Sequence, residues 1–439
     1  MLQPQSLDTR FETFVQALPS DYVEQAYAFK AFARARKIKT PQQLLQLVML
    51  YCGLDLSLRS CAGEWAHQQG YISDEGVKKR LSACVPWVKA LLSGVFGLEN
   101  VVNSGSLRFI VIDGSTVQEP GAKETTYRLH IAIDLINLSI RQVEVTTDKV
   151  GENLDHYQLD EGDVVLIDRG YNQPKTLIPF LDKGGEVVLR YNAHSMNVYE
   201  IDTTQEREAG KEVMVKVHWQ QHLETLNAQA GYFPVYLCHA GQRIQVFVHA
   251  MPLPEDKAAE ARRKARQRAR KKGNEVSKKT LYLSEWVLVL SSLPPEVLDT
   301  KAVTDLYRVR WQVEVVIKRL KSLLLVDELR AHKGTKLAEL YLYGKLLYAA
   351  VTAKIAQQRW PQAARKMDAP RQVTDWRLWR TVADELKGIF KASFTPKARF
   401  AKDYLKSVTE RPRKRRLQSL PGEVHTLIGR CRELEVSHV

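Results

Sequence analysis

Four side chains spaced along residues 307–321 could together bind a phosphate beside a metal ion. The four are Tyr307, Arg310, Glu314 and Lys321, separated by three, four and seven positions in a stretch without Gly or Pro. In a helix this spacing puts all four on one face. A single carboxylate among cations and an aromatic hydroxyl is typical of a site that binds phosphate and a divalent ion. A solvated amphipathic helix with i,i+4 ion pairs would explain the pattern equally well.

Two aspartates, Asp113 and Asp168, each follow an apolar run and precede a turn. Each is predicted to end a buried strand, and parallel strands bring their carboxyl ends to one edge of a sheet. Two carboxylates that close repel each other unless a cation lies between them, and Mg²⁺ or Mn²⁺ suits such oxygen ligands. An Asp after a strand is also a common turn or cap residue, which is the alternative for either one alone.

The composition describes a strongly basic protein with room for several domains. The chain has 439 residues and a formal net charge of +15, and its length predicts two to four domains. The excess of cations favours a polyanionic partner, with nucleic acid first and an acidic membrane surface second. Because no long apolar run and no secretion signal is visible, the sequence predicts a cytoplasmic protein without a membrane segment.

Cysteine and histidine are arranged in a way that argues against a soft-ligand metal site. The five cysteines are far apart without a CxxC pair, and the eleven histidines are scattered. Neither a disulfide framework nor a zinc knuckle is predicted. A metal site would therefore have to be built from oxygen ligands.

The elements that must position the acids are predicted from changes of period along the chain. Residues 1–104 have a helical pattern, and residues 60–81 could form a DNA-binding helix-turn-helix with a basic second helix, although many all-helical domains share this pattern. Residues 105–191 predict a meander of strands at 108–115, 127–135 and 140–147, a helix at 151–159, a strand at 163–167, a helix from Pro174 and a strand at 186–190. This order predicts an α/β fold with a mixed sheet.

A β-rich insertion is predicted at residues 192–293, before the core resumes at residues 294–330. It contains a basic run at residues 261–279, in which Arg266 and Arg270 belong to a series of cations with Ala spacers. Such a run cannot bury itself, so it is either a nucleic-acid-binding arm or a solvated helix. Residues 331–439 are again helical and basic.

The acids and their surroundings resemble the bacterial DDE transposases of the insertion-sequence-four group. The family's signature of Tyr, Arg, Glu and Lys, separated by two, three and six residues, is matched without a gap by the four residues in 307–321. Asp113-Gly114-Ser115 and Asp168-Arg169-Gly170-Tyr171 match the first and second acid. The resemblance covers about residues 109–325. It implies a ribonuclease-H-like catalytic core with a β-strand insertion, flanked by N- and C-terminal helical domains.

This resemblance implies metal-dependent transposition through a DNA hairpin. Asp113, Asp168 and Glu314 would hold two Mg²⁺ or Mn²⁺ ions, about 3.5–4 Å apart, that activate water for in-line attack. The freed 3′-hydroxyl would attack the opposite strand to form a hairpin. After the hairpin opens, the same site would join the end to target DNA.

The resemblance also implies which side chains hold the DNA. Arg310, Lys321 and Tyr307 would bind phosphates, with the Arg as a bidentate fork and the Lys as a point charge. Trp286 matches the strand that supplies a base-flipping Trp in hairpin-forming relatives, and a buried Trp in a strand core is the alternative. Trp311 is a further candidate for an aromatic contact with a base.

The expected partner is double-stranded DNA, as the inverted repeats at the element's ends and as the target. A homodimer in the synaptic complex is implied, with residues 331–439 as the expected region of partner and DNA contact, in a nucleoid-associated protein. Two alternative functions would use the same fold. One is a DNA-binding repressor derived from a transposase, and the other is a nuclease with the same core that cuts without joining.

Overall fold

One mixed sheet of ten strands forms the centre of the described chain. The computed structural model describes residues 7–97, 107–135, 139–202, 212–364, 372–391 and 409–410. Across the sheet the strands, numbered in chain order, follow the sequence 3-2-1-4-5-10-9-8-6-7. Apolar side chains on the two faces of the sheet belong to two separate hydrophobic clusters.

Six helices precede the sheet in the described part of the chain. They are α1 (Leu7–Val15), α2 (Tyr22–Ala28), α3 (Pro41–Cys52), α4 (Leu58–Gln69), α5 (Asp74–Ser82) and α6 (Val85–Gly97). Helices α4 and α5 coincide with the predicted helix-turn-helix, and Ser73 caps α5 by accepting a hydrogen bond from the Gly76 N–H. Lys78 and Lys79 on α5 are exposed.

Five strands form the half of the sheet that carries the two aspartates. They are β1 (Arg108–Val117), β2 (Tyr127–Asp134), β3 (Ile140–Thr147), β4 (Asp163–Ile167) and β5 (Glu186–Arg190). Strands β1, β2 and β3 form an antiparallel meander, and β4 pairs parallel with both β1 and β5. The predicted α/β core is therefore confirmed. Every residue of β4 is buried, as expected of a central parallel strand.

Two details of this half differ from the prediction. Residues 151–159 contain only a 3₁₀ turn, Leu154–His156, where the sequence predicts a helix. The Gln142 side chain donates to the His156 carbonyl and accepts from the Gln158 N–H. These two backbone groups are therefore not available for the hydrogen bonds of a helix. Asp113 lies inside β1 and does not end it, since β2 continues as a partner of β1 beyond the point where β4 stops. Helix α7 (Pro174–Leu181) connects β4 to β5 as predicted.

The β-rich insertion extends the core sheet at the β5 edge. Its strands are β6 (Tyr199–Ile201), β7 (Met214–Lys216), β8 (Gly231–His239), β9 (Gln242–Pro252) and β10 (Trp286–Ser291), and its helices are α8 (Trp219–Thr225), α9 (Glu255–Lys271) and α10 (Lys278–Ser284). Strand β10 pairs antiparallel with both β5 and β9. The apolar run at residues 281–290 predicts a strand, but its first four residues belong to α10, which Ser277 caps by accepting from the Thr280 N–H.

The prediction of one uninterrupted helix over residues 307–321 is also wrong. Helix α11 (Thr300–Val309) ends at Arg310, and α12 (Trp311–Leu324) begins directly after it. The backbone tightens there to i,i+3 hydrogen bonds, with the Arg310 N–H donating to the Tyr307 carbonyl and the Val313 N–H donating to the Arg310 carbonyl. Of the four signature residues, Tyr307 therefore lies on α11, Glu314 and Lys321 lie on α12, and Arg310 lies at the junction.

The helices before and after the sheet pack together. The C-terminal elements are α13 (Lys336–Ala364), β11 (Gln372–Val373), α14 (Asp375–Phe390) and β12 (Thr409–Glu410). Helix α13 packs on α3 and α6, and α14 packs on α12. One hydrophobic cluster consequently joins both helical flanks, α12 and one face of the sheet. Among the described residues no helix has the length and apolar character needed to cross a membrane.

Candidate active site

The strand period places Asp113 and Asp168 on the sheet face that α12 covers. Phe109 and Val111 of β1 point into the cluster shared with α12, whereas Ile110 and Ile112 point to the opposite face. Asp113, two positions after Val111, therefore lies on the α12 side. The same alternation applies to Leu166 and Asp168.

The strand register places the two aspartates side by side. Val111 of β1 pairs with Leu166 of β4, so two positions further along both strands Asp113 lies beside Asp168. Asp113 Oδ1 accepts the Gly114 N–H at 2.9 Å. Asp168 Oδ1 accepts the Gly170 N–H at 2.6 Å, so Asp168 also caps the following turn, Arg169–Tyr171.

Arg310 joins Asp113 to Glu314. Its Nη1 lies 3.4 Å from Asp113 Oδ2, and its Nη2 lies 2.9 Å from Glu314 Oε1. The Arg310 guanidinium lies over the Tyr307 ring, 5.8 Å from its centroid, and its side chain is 13% exposed. The helix break at Arg310 thus brings Tyr307, Arg310 and Glu314 together with the acid on β1.

A cleft of about 420 Å³ opens between β1 and α12. Its charged lining consists of the acids Asp113, Glu152 and Glu314 and the cations Arg128, Lys318 and Lys321. Lys321 Nζ donates to the Thr116 carbonyl at 3.5 Å and lies 3.7 Å from Asp327 Oδ2. Asp168 is not part of this lining and lies beside it, next to Asp113.

The surroundings of Asp113 and Glu152 disfavour negative charge on these two acids. Burial raises the pKa of Asp113 to about 6, and Arg310 opposes this while Asp168 and Glu152 add to it. Burial and the neighbouring Asp168 also raise the pKa of Glu152. Several carboxylates that share a half-buried cleft gain most from a cation.

The donor chemistry of the cleft suits a hard divalent cation. Asp113, Asp168, Glu314 and Glu152 offer only carboxylate oxygens, which Mg²⁺ and Mn²⁺ prefer. Within the described ranges, no group of three or more His, Cys, Asp or Glu side chains has the spacing of a set of metal ligands. In this arrangement the guanidinium of Arg310 holds two of the acids together.

Glu152 is the acid of this cleft that sequence reasoning missed. It follows β3 in the segment 151–159, where the sequence predicts a helix, and no motif there marks it as a metal ligand. Its carboxylate lies against Gly114 and Gly170, the glycines that follow the two aspartates. The glycine shortly after each aspartate is the sequence signal that could have indicated a third chain segment packed against the two acids.

The other predicted DNA-binding residues lie apart from this constellation. Trp286 begins β10, is 6% exposed and packs in the cluster on the opposite sheet face, so this conformation favours core packing over a base platform. Trp311 is 51% exposed at the start of α12. Arg266 and Arg270 are exposed on α9. Arg262, near the middle of α9, is ion-paired with Glu255 and Glu285.

Comparisons with known proteins identify the family of this chain. Residues 104–348 match the family model described as the transposase DDE domain. The chain is 29% identical over 343 residues to the InsL transposase of insertion sequence element IS186A from Escherichia coli K12, which covers 74% of this chain and 88% of that protein. It is 28% identical to the transposase of element IS421 from Escherichia coli, again over 343 residues, or 74% of this chain and 88% of that protein. With the transposase of element IS231C from Bacillus thuringiensis it shares 22% identity over 326 residues, or 67% of each chain.

One solved structure is similar over most of its length. It is the piggyBac transposase synaptic complex with hairpin DNA, with a TM-score of 0.41 and 9% identity over 92% of this chain and 84% of that chain. A likeness at this level carries no argument about function. The family match covers more than half of the chain, and this protein therefore belongs to the DDE-domain transposases, enzymes that act on DNA.

Proposed function

We propose that this enzyme excises and integrates an insertion sequence by cut-and-paste transposition with a hairpin intermediate, as a member of the insertion-sequence-four group. The observation that carries the proposal is the contact of Arg310 with both Asp113 on β1 and Glu314 on α12. This contact unites residues from distant parts of the chain around one cleft. Cations that grip phosphate lie beside acids that suit a metal, as DNA strand transfer requires.

Asp113, Asp168 and Glu314 are the residues that would hold two Mg²⁺ or Mn²⁺ ions. When bound, such ions supply Lewis-acid activation of the attacking hydroxyl and neutralise charge on the leaving oxygen. The side chains contribute their own part by offering oxygen ligands on a rigid strand, a strand-end turn and a helix. Strands and helices hold such groups more accurately than loops.

Arg310 and Lys321 bind the phosphates of the DNA in this proposal. Arg310 is nearly buried and braced by the Tyr307 ring, so its planar fork is held beside Asp113 and Glu314. Lys321 is a third exposed and reaches the cleft from α12, where it acts as a mobile point charge. Their arrangement orients one phosphodiester relative to Asp113.

A hairpin needs one base to leave the stack, and an aromatic side chain can receive it. Trp311 is accessible for this contact at the start of α12, directly after Arg310. Trp286 would have to leave its core position first, at the cost of the apolar contacts of β10. Stacking of a base on an aromatic side chain is worth about 1–3 kcal/mol.

The basic surface supports double-stranded DNA as the partner, both as terminal inverted repeats and as target. The exposed cations of α5 and of α9, including Arg266 and Arg270, are available for phosphate contacts. A homodimer in the synaptic complex and a cytoplasmic, nucleoid-associated location complete the proposal. The basic cluster at residues 411–416, in the expected partner-contact region, lies outside the described residues.

The test uses purified protein, Mg²⁺ and a DNA that carries the end of the host element. Hairpin products support the transposase, simple nicks support a nuclease, and binding without cutting supports a repressor. Glu314→Gln should keep DNA binding and abolish cleavage, because a metal ligand is lost while the cations Arg310 and Lys321 remain. Glu296→Gln, an exposed acid outside the cleft, is the matched control and should cleave normally. Cleavage by Glu314→Gln at the wild-type rate would remove Glu314 from this role.

A further inference from the structure

The carboxylate of Glu152 lies between Gly114, next to Asp113 in β1, and Gly170, in the turn after Asp168. A Cβ atom added to Gly114 would lie 2.4 Å from Glu152 Oε1. A Cβ added to Gly170 would lie 2.4 Å from Glu152 Oε2 and 3.0 Å from Asp168 Oδ1. Glu152 Oε2 and Asp168 Oδ1 thus lie on either side of one small space beside Gly170. In this conformation a Cβ atom at either position would displace the Glu152 carboxylate.

The backbone around Glu152 is fixed to the same turn. The Gln173 side-chain amide donates to the Glu152 carbonyl at 2.9 Å and to the Gly170 carbonyl at 3.4 Å. On the other side, His156 Nε2 lies 3.1 Å from the Gly151 carbonyl. Because both flanking carbonyls are held, the position of Glu152 is determined by the fold.

The Glu152 carboxylate has no protein group to balance it within hydrogen-bond distance. Among the described residues none donates a hydrogen bond or forms an ion pair with its oxygens, although Arg128 lines the same cleft. The side chain is partly buried and has Asp168 as a neighbour. A carboxylate in such a place is costly for the fold unless a cation joins it.

We propose that Glu152 is a fourth carboxylate of the active site, which binds the divalent cation together with Asp168 and Asp113. This inference rests on the proposed metal-dependent reaction and adds a ligand that lies outside the Asp, Asp and Glu set. It assigns a function to Gly114 and Gly170 as well. They admit a third chain segment to the metal site.

The experiment measures Mn²⁺ binding to the full-length protein without DNA, by isothermal titration and by the shift of the melting temperature. Glu152→Gln should lower the Mn²⁺ affinity on the order of 10–100-fold, the loss typical of groups that support a metal site. Without Mn²⁺ this variant should melt at or above the wild-type temperature, because an unbalanced carboxylate is removed. Glu296→Gln should match the wild type in both measurements.

Each contrary outcome has a distinct meaning. If the wild type binds Mn²⁺ and Glu152→Gln binds it equally well, while Glu314→Gln does not, Glu152 has no part in the metal site. If Glu152→Gln melts below the wild type without Mn²⁺, its carboxylate serves the fold, and the inference is wrong. If the wild type itself binds no Mn²⁺, the proposed metal-dependent function fails together with the inference.

Discussion

Replacement of Lys345 by Met should destabilise the protein more than any exposed charge removal. Lys345 is 1% exposed in α13, and its Nζ lies 2.6 Å from Asp55 Oδ1. It also donates to the Leu325 carbonyl at 2.9 Å, at the left-handed residue that ends α12. The Tyr341 hydroxyl donates to Asp55 as well. One ammonium group therefore ties the N-terminal helices, α13 and the Glu314 helix together.

The expected loss follows from the charge that remains after the substitution. Breaking a buried ion pair by removing one partner costs about 3–5 kcal/mol, because the other charge is left without compensation. Asp55 keeps its hydrogen bond from Tyr341 and its side chain is 17% exposed, which places the loss near the lower limit, at about 3 kcal/mol. Met preserves the packing of the aliphatic stem, so the change removes only the ammonium group, with its ion pair and its hydrogen bond to the Leu325 carbonyl.

Urea unfolding followed by tryptophan fluorescence measures this loss as a lower midpoint at an unchanged slope. Lys78→Ala is the matched control, because Lys78 forms an exposed pair with Glu75, and such pairs contribute less than about 1 kcal/mol. The double variant Asp55→Asn with Lys345→Met should recover part of the stability, since no unpaired charge is left. A loss for Lys345→Met no larger than that of the control would refute the reasoning.

Three further predictions concern the DNA and the metal. Arg310→Ala should weaken both DNA-end binding and strand cleavage, because a charged hydrogen bond of about 1.5–3 kcal/mol is lost. Gel-shift and cleavage assays on the same DNA measure the two effects. Unchanged binding would exclude the contact of Arg310 with a phosphate. Joint replacement of Arg266 and Arg270 by Ala should reduce the slope of log Kobs against log salt by about 2. Filter binding at several salt concentrations checks this, and an unchanged slope would leave α9 as a solvated helix. Gly170→Ala should lower the Mn²⁺ affinity in a titration, because the new Cβ would lie 2.4 Å from a carboxylate oxygen, whereas Gly63→Ala, with open space around it, should not.

The aspartate pair could be predicted from the sequence because its position depends on simple periodicities. An apolar run before each Asp predicts a buried strand, and the crossover from β1 to β4 requires parallel neighbours. The register of Val111 with Leu166 then decides the pairing. These rules act within each strand and its next partner, so a single sequence contains them.

The break at Arg310 could not be predicted in the same way. Leu306, Val309 and Val313 are buried on both sides of it and keep helical spacing, so the apolar pattern passes through the break in phase. The tightened turn accompanies the contact of Arg310 with Asp113, which is tertiary and leaves no local pattern. The position of Glu152 likewise depends on glycines in other segments, and no local pattern carries that information.

The continuity of the ten-stranded sheet fixes the separation between the strand that carries Asp113 and the strand beside the basic helix α9. Arg262 of the basic helix α9 is ion-paired with Glu285, the residue directly before β10. Strand β10 is separated from β1 by β4 and β5. At about 4.8 Å per strand this is a distance of about 14 Å, close to the rise of about four base pairs of duplex DNA. Because hydrogen bonds join every strand in between, this spacing cannot change without breaking the sheet. A duplex held by both elements would be cut at a constant number of base pairs from the place where it is gripped.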